Sequence, residues 1–181
     1  TVIIADLHLG EGADASTGAW HPTEDFRWQD EFALFLQTIE ADSRGATDLV
    51  INGDAFELRP STDDACAPDL PEVGCTEAQA IARLDRVLAG HPAELEALGR
   101  FASAGGNRVV FVPGHHDAAL LFPAVAQMVV DSVAAPPDRV RVAPRGYWLS
   151  DDGLIYAEHG HQLEEAAGYD EWPEPFVDAG G

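Results

Sequence analysis

Histidines and aspartates that could bind metal ions are concentrated at four points of the chain, each directly after a short apolar run. A lone residue of either type at such a point is more often a turn or capping residue. Four such points in one sequence, holding five of the seven histidines, favour a shared site. Mixed imidazole and carboxylate groups suit Mn, Fe, Zn or Co better than Ca or Mg. The residues concerned are Asp6, His8, Asp54, His115, His116, Asp117, His159 and His161.

The apolar runs predict buried β-strands that would position these side chains. In the clearest of them, Leu49–Gly53, three apolar residues come first, two of them β-branched, and Asp54 follows directly. In open α/β sheets, ligands bind outside the carboxyl ends of the strands. The four strand ends are therefore expected to meet at one edge of a sheet.

Two further features bear on how the side chains could hold metal ions. Asp6 and His8 are separated by a single residue, so on an extended strand both side chains can point toward one ion. Asp54 can bridge two ions because a carboxylate offers two oxygen atoms. Together these residues predict a centre for divalent transition metals.

The periodicities of the sequence predict one α/β domain over residues 1–181. Residues 1–53 are predicted to form a βαβ unit whose helix begins at Thr23 as its N-cap. Thr76 opens a capping-box pattern for a second helix, and one apolar helix is predicted over residues 118–130.

Two segments lack any periodicity. Residues 58–75 are predicted to form an insertion loop over the mouth of the site, and residues 169–181 an acidic tail. The loop holds both cysteines, Cys66 and Cys75, at a spacing that fits a short-loop disulfide. A disulfide would imply an oxidising, extracytoplasmic compartment, whereas two free thiols are equally compatible with this spacing.

The charge balance limits the classes of partner. With 32 acidic against 10 basic residues the net charge is −22, which disfavours nucleic acid unless bound metals supply positive charge. No apolar run approaches the roughly 18–20 residues that a membrane span requires.

The ordered motifs Asp-x-His, Gly-Asp-x-x-Glu, Gly-x-His-Asp and His-Gly-His resemble those of the calcineurin-like metallophosphoesterases. The resemblance covers residues 2–161, with each motif at a predicted strand end. Residues 6–9 and 53–57 look most like the branch that includes UDP-2,3-diacylglucosamine hydrolases. That branch has Arg where this chain has His116, so its substrate does not carry over.

The resemblance implies both a fold and a chemistry. The implied fold is a metallophosphoesterase-type β-sandwich of two mixed sheets flanked by helices, holding two divalent ions (Mn, Fe, Zn or Co) about 3.5–4 Å apart. The implied activity is hydrolysis of phosphate mono- or diesters by a hydroxide that the two metals generate, as in a phosphatase or phosphodiesterase. A phosphoester is then the substrate.

The resemblance also implies a metal ligand set. Asp6 and His8 would bind the first metal, Asp54 would bridge both, and His159 would bind the second. The family has Asn where this chain has His115. The longer imidazole can still bind the second metal, with displaced geometry.

The implied catalytic residues are His116 and Asp117. His116 would protonate the leaving oxygen or stabilise the phosphoryl charge, and Asp117 would orient it. The family closes its site with a late Gly-His-x-His motif, but no histidine follows His161. We expect either that the chain ends before its C-terminal strands, which leaves a sheet edge unpaired, or that His161 binds metal in place of that motif.

Two other interpretations remain open. Because the ligand set is incomplete, the chain could be a catalytically impaired relative that binds phosphate or a protein partner. It could also be a metal-free domain whose histidines are incidental.

Overall fold

The computed structural model describes residues 1–43, 45–59, 76–165 and 167–174. Within these ranges the chain forms six strands and four α-helices. None of these helices is both long and apolar enough to cross a bilayer. In chain order the elements are β1 (Val2–Ile4), α1 (Gln29–Ser43), β2 (Asp48–Asn52), α2 (Glu77–Gly90), α3 (Pro92–Ser103), β3 (Arg108–Val112), α4 (Pro123–Ser132), β4 (Val140–Val142), β5 (Tyr147–Leu149) and β6 (Tyr156–Glu158).

The first four strands form one parallel sheet in the order β1-β2-β3-β4. In its register, Ile3 pairs with Val50 and Val50 with Val110. Parallel neighbours require crossover connections, and helices precede β2, β3 and β4 in the chain. The carboxyl ends of all four strands consequently lie at the same edge.

Both faces of this sheet are covered. Leu49 and Ile51 on one face pack in a core with residues of all four helices. Val50 and Val110 on the opposite face pack under Trp148, which belongs to the antiparallel hairpin of β5 and β6. Successive strand residues point to opposite faces, so burial on both sides explains the continuous apolar runs in the sequence.

The first helix begins later than predicted. Helix α1 starts at Gln29, so Thr23 is not its N-cap. The Thr23 hydroxyl lies 2.8 Å from the His21 ring, and the Glu24 carboxylate accepts hydrogen bonds from loop amides such as that of Phe26. These contacts hold the segment as a loop where the sequence alone indicates the first turn of a helix.

The single helix predicted over residues 118–130 is two elements. A short 3-10 helix, Ala118–Leu121, ends before Pro123, which is the first residue of α4. Proline has no N–H to donate and disfavours a helical residue before it, so the chain breaks at Phe122. The capping box at Thr76 is confirmed, since its side chain and that of Gln79 cap each other's backbone.

The predicted α/β class with two sheets is confirmed. Within the described residues neither sheet is mixed, because the larger is parallel throughout and the smaller is an antiparallel hairpin. The metallophosphoesterase-type sandwich stays a prediction. Residues 60–75, with Cys66 and Cys75, and residues 175–181 lie outside the described residues, so most of the insertion loop and the end of the tail are not described.

Candidate metal centre

The side chains predicted to share one edge of a sheet lie together, but only three of the four strand ends belong to the parallel sheet, and the fourth is that of β6 in the hairpin. The Asp6 amide donates to the Gly53 carbonyl at 3.1 Å, so the loops after β1 and β2 run side by side. The His116 amide donates to the Asp54 carboxylate at 2.9 Å, and the His159 ring lies 2.9 Å from the Asn52 carbonyl. These contacts bring the segments after β3 and β6 to the same place.

Three of the predicted metal ligands have left-handed backbone conformations. Asp6, His8 and Asp54 have φ of 58°, 48° and 53°. Few residues other than glycine adopt such angles, although Asp and His tolerate them better than most. A residue held in this region costs of order 1–3 kcal/mol, and such residues gather at functional sites. Three of the four non-glycine residues with left-handed φ in the described part of the chain could therefore bind metal, and the fourth is Asp138.

Asp54 is the centre of the cluster and is only 1% exposed. Its Oδ2 atom lies 3.1 Å from Nδ1 of His115, 3.1 Å from Nε2 of His159 and 3.9 Å from Nε2 of His8. Its other oxygen, Oδ1, accepts the amide of His116. One carboxylate oxygen thus faces three imidazoles while the second is fixed by the backbone.

Unsatisfied buried atoms show that these residues fit a metal ion. Asp54 Oδ2 and His115 Nδ1 are both buried and have no hydrogen-bond partner among the described residues. Two atoms that bind one ion at about 2.0–2.2 Å each lie about 3 Å apart, which agrees with the spacing here. Buried polar atoms seldom lack partners, and an ion would satisfy both at once.

Three overlapping groups of side chains could each hold an ion, with ligand atoms within 4.8 Å of one another. Their residue types suit divalent transition metals. The groups are Asp6 with His8 and Asp54, Asp54 with His115 and His116, and His8 with Glu57 and His116.

The third group contains Glu57, to which the sequence prediction assigned no role. Glu57 Oε2 lies 2.5 Å from Nδ1 of His116 and 3.5 Å from Nδ1 of His8. The rings of His8 and His116 meet edge to face at 4.5 Å. Glu57 therefore orients the two histidines that its carboxylate contacts. Glu57 is the last residue of the Gly-Asp-x-x-Glu motif, and this position in the sequence could have indicated that it belongs to the site.

Asp117 does not orient His116, contrary to the prediction. Its fully buried carboxylate accepts the amides of Gly114 at 2.6 Å, Ala55 at 2.7 Å and Asp54 at 3.2 Å. Burial, and secondarily the charge of Asp54, raises the pKa of Asp117 to about 6. Asp117 ties the loop after β3 to the loop after β2, because carboxyl oxygens satisfy backbone donors that neither loop can pair internally.

Ionisation favours metal binding at Asp54 and His115 and opposes it at His159. Burial opposes the charge of Asp54, but contacts with His159, the His116 amide and His115 outweigh it and lower its pKa to about 2. Burial is the main cause that lowers the pKa of His115 and so keeps that ring neutral. The Asp54 carboxylate, whose Oδ2 lies 3.1 Å from Nε2 of His159, raises the pKa of that ring to about 9. A metal would compete with that proton, because only neutral imidazole binds.

His161 lies beside the cluster and, like His159, belongs to none of the three groups that could hold an ion. Its ring is 6% exposed, neither nitrogen has a hydrogen-bond partner among the described residues, and Trp172 packs edge to face on it at 4.3 Å. The ring centroids of His159 and His115 are 5.6 and 6.0 Å away. Burial is the main cause that lowers the pKa of His161 to about 4, so the ring is neutral.

Two glycines give the cluster its close packing. A Cβ atom on Gly114 would lie 2.2 Å from Asp54 Oδ1, and one on Gly53 would lie 2.2 Å from His159 Nδ1. Gly53 also has a φ of 87°, which side chains disfavour. Larger residues at either position would displace a candidate ligand.

Comparisons with protein-family models, with curated proteins and with solved structures find no significant match to this chain.

Proposed function

We propose that this chain is a metallophosphoesterase, a metal-dependent hydrolase of phosphate mono- or diesters with two divalent transition metal ions. The observation that carries the proposal is Asp54 Oδ2, which is buried without a hydrogen-bond partner among the described residues and lies 3.1 Å from nitrogens of both His115 and His159. The two sheets would belong to a metallophosphoesterase-type β-sandwich.

In this proposal the ligands divide between two ions. Asp6 and His8 would hold the first, His115 and His159 the second, and Asp54 would contribute to both. When bound, two such ions polarise phosphoryl oxygens and lower the pKa of water, which makes hydroxide available near neutral pH. The charge of the ions would also offset the acidity of the chain, whose net charge is −22.

His116 and Glu57 would handle the proton of the leaving group. Glu57 Oε2 lies 2.5 Å from Nδ1 of His116 and fixes that side of the ring, which leaves Nε2 for a substrate oxygen. A half-exposed imidazole oriented by a carboxylate is suited to donate a proton to a departing alkoxide. Asp117 would act only through the loops that it joins.

Arg59 would add positive charge at the mouth of the site. The amide of Leu58 donates to the His116 carbonyl at 3.1 Å, which brings the exposed Arg59 next to His116. Burial lowers the pKa of His115, and the charge of Arg59 is among the further causes. A guanidinium there can contact a phosphate oxygen.

The test combines metal content with turnover. Chelated protein is reloaded with Mn²⁺, Zn²⁺, Fe²⁺ or Co²⁺, bound metal is measured by mass spectrometry, and hydrolysis of p-nitrophenyl phosphate and bis-p-nitrophenyl phosphate is followed. We expect about two ions per chain and metal-dependent hydrolysis of at least one of the esters. Protein that binds no ion after reloading would refute the proposal.

Binding of inorganic phosphate to the same metal-loaded protein, measured by calorimetry, decides the alternative. A chain that binds metal and inorganic phosphate but hydrolyses neither ester would be a binding domain. The residue that favours this outcome is His115. Its imidazole stands where the calcineurin-like metallophosphoesterases have the shorter side chain of Asn.

A further inference from the structure

A second cluster of buried ionisable side chains lies outside the candidate metal centre. Glu24, His91 and Glu94, which we call the anchor cluster, are 1%, 3% and 5% exposed. Nε2 of His91 lies 2.8 Å from Glu24 Oε2, and its Nδ1 lies 3.5 Å from Glu94 Oε1. Buried charges are costly unless they are paired, and here one imidazole pairs with two carboxylates.

Glu24 connects this cluster to the chain that follows His8. Its Oε2 atom accepts the amides of Gly10 at 3.1 Å and Gly12 at 2.8 Å, and Oε1 accepts the amide of Phe26 at 2.7 Å. Gly10 is the second residue after His8. One carboxylate thus fixes the path of the loop directly beyond a candidate metal ligand.

Close backbone packing gives independent evidence that this loop is held in place. A Cβ atom on Gly12 would lie 2.9 Å from the Gly90 Cα, and one on Gly10 would lie 2.4 Å from the Thr23 carbonyl oxygen. Gly90 is the last residue of α2 and directly precedes His91. The loop therefore rests on the end of α2 with no room for side chains between them.

We propose that the anchor cluster positions His8 for metal binding. By fixing Gly10 and Gly12, Glu24 holds the preceding residues in the register in which the His8 amide donates to the Asp54 carbonyl and the Leu9 amide to the Ala55 carbonyl. His8 has a φ of 48°, a conformation that persists only where the surroundings enforce it. The inference rests on the proposed metal centre.

The protonation of His91 supports the proposal that the anchor cluster positions His8. Burial opposes protonation of His91, but its hydrogen bonds with Glu24 and Glu94 outweigh it and raise its pKa to about 9. The same contact with His91 is the main cause that opposes burial and lowers the pKa of Glu24. At neutral pH His91 is therefore protonated beside Glu24, and hydrogen bonds that involve charged groups are stronger than neutral ones.

The first experiment needs no metal. Amide hydrogen exchange is measured in the metal-free chain and in Glu24→Gln, His91→Gln and Asp48→Asn. Asp48 pairs with Arg108 at 2.5 Å at the opposite end of β2, so its variant controls for a lost ion pair away from the site. We expect exchange at His8 and Leu9 to accelerate about tenfold or more in the first two variants and not in the control.

Glu94→Gln is a milder variant, because the Glu94 carboxylate lies 3.5 Å from His91 and so contributes a weaker contact. This variant is used if Glu24→Gln and His91→Gln prevent folding. We expect a smaller acceleration at the same two amides. Unchanged exchange at His8 and Leu9 in a folded anchor-cluster variant would overturn the positioning role, as would equal acceleration in Asp48→Asn.

The second experiment asks whether the effect passes through His8. The Mn²⁺ affinity is measured by calorimetry for Glu24→Gln alone and combined with His8→Ala or His159→Ala. We expect about tenfold weaker binding in the unsubstituted and His159→Ala backgrounds, and no further loss with His8→Ala. Equal losses in both backgrounds would overturn the inference. If the unsubstituted chain binds no Mn²⁺, the affinities are measured with Zn²⁺, Fe²⁺ or Co²⁺; if none of these binds, the metal centre fails, while hydrogen exchange still decides whether Glu24 positions His8.

Discussion

The two ends of the parallel sheet differ in how completely their polar groups are paired. At the amino ends of β2 and β3, the Arg108 guanidinium contacts Asp48 at 2.5 Å and Asp151 at 2.9 Å. The Asn107 side chain accepts the Thr47 amide at 2.9 Å. Arg108 and Asn107, at the amino end of β3, therefore both have hydrogen-bond partners.

At the carboxyl ends, buried polar atoms lack partners and backbone angles are strained. Asp54 Oδ2 and His115 Nδ1 have no hydrogen-bond partner in the part of the chain that the structure describes. Asp6 and His8 have left-handed φ angles. A left-handed angle also occurs at the amino end, at Asp138 before β4, so the buried atoms without partners are what distinguish the carboxyl end as a place that can accept a ligand. The amino end stabilises the sheet, and the carboxyl end has the features of a binding site.

The largest difference between the two ends is expected when one aspartate at each end is replaced by alanine. We expect Asp54→Ala to reduce bound metal and phosphoester hydrolysis below detection, because it removes the oxygen that faces three imidazoles. Asp48→Ala should keep both and lower the free energy of unfolding by about 1 kcal/mol, since its ion pair is partly exposed. Metal analysis, ester turnover and urea unfolding measure the three quantities. Loss of metal in Asp48→Ala would contradict the division between the two ends.

Within the carboxyl end, His116 should separate catalysis from metal binding. We expect His116→Ala to slow hydrolysis by about 10²–10⁴-fold with metal content unchanged, because a proton donor is lost. Glu57→Gln should act in the same direction with a smaller effect, since it removes the charge that orients His116 and His8 but leaves the proton donor in place. Steady-state kinetics on metal-loaded protein measure both variants. If His116→Ala lost metal as completely as Asp54→Ala, His116 would be a ligand.

The anchor cluster is expected to make the free energy of unfolding depend on pH. Folding raises the pKa of His91 from 6.5 to about 9, so its stabilising contribution is complete below pH 6.5 and lost as pH rises through about 9. We expect urea unfolding to show a loss of stability from pH 7 to pH 10 that is roughly 1–3 kcal/mol larger than the loss in His91→Gln. The chain has no lysine, and His159, whose pKa is also raised to about 9, titrates in both proteins and cancels in the difference between them. Parallel pH profiles for the two proteins would contradict the assignment.

The smallest expected effect concerns Arg59. We expect Arg59→Gln to raise KM for a phosphoester by about three- to tenfold with kcat and metal content nearly unchanged, because a long-range charge is removed from the mouth of the site. Arg141→Gln is a matched control, since Arg141 lies on β4 and has an exposed side chain. Equal effects of the two substitutions would assign the change to net charge alone.

The strands and most of the candidate site could be predicted from short stretches of sequence. Leu49–Ile51 is apolar throughout because both faces of β2 are buried, and Asp54 follows at the strand end where ligands bind. The capping box at Thr76 could also be predicted from the sequence, since its two partners, Thr76 and Gln79, are three residues apart. Such patterns are local, and the sequence by itself determined them.

Only the tertiary structure decided which side chains act on one another. Glu57 rather than Asp117 contacts the His116 ring, across 59 residues of sequence, and Asp117 joins two loops instead. Glu24, which resembles a first-turn helix residue, binds His91 across 67 residues and fixes the loop after His8. A carboxylate can satisfy a ring nitrogen or a backbone amide equally well by its own chemistry, and packing of distant segments alone determines which of them it reaches.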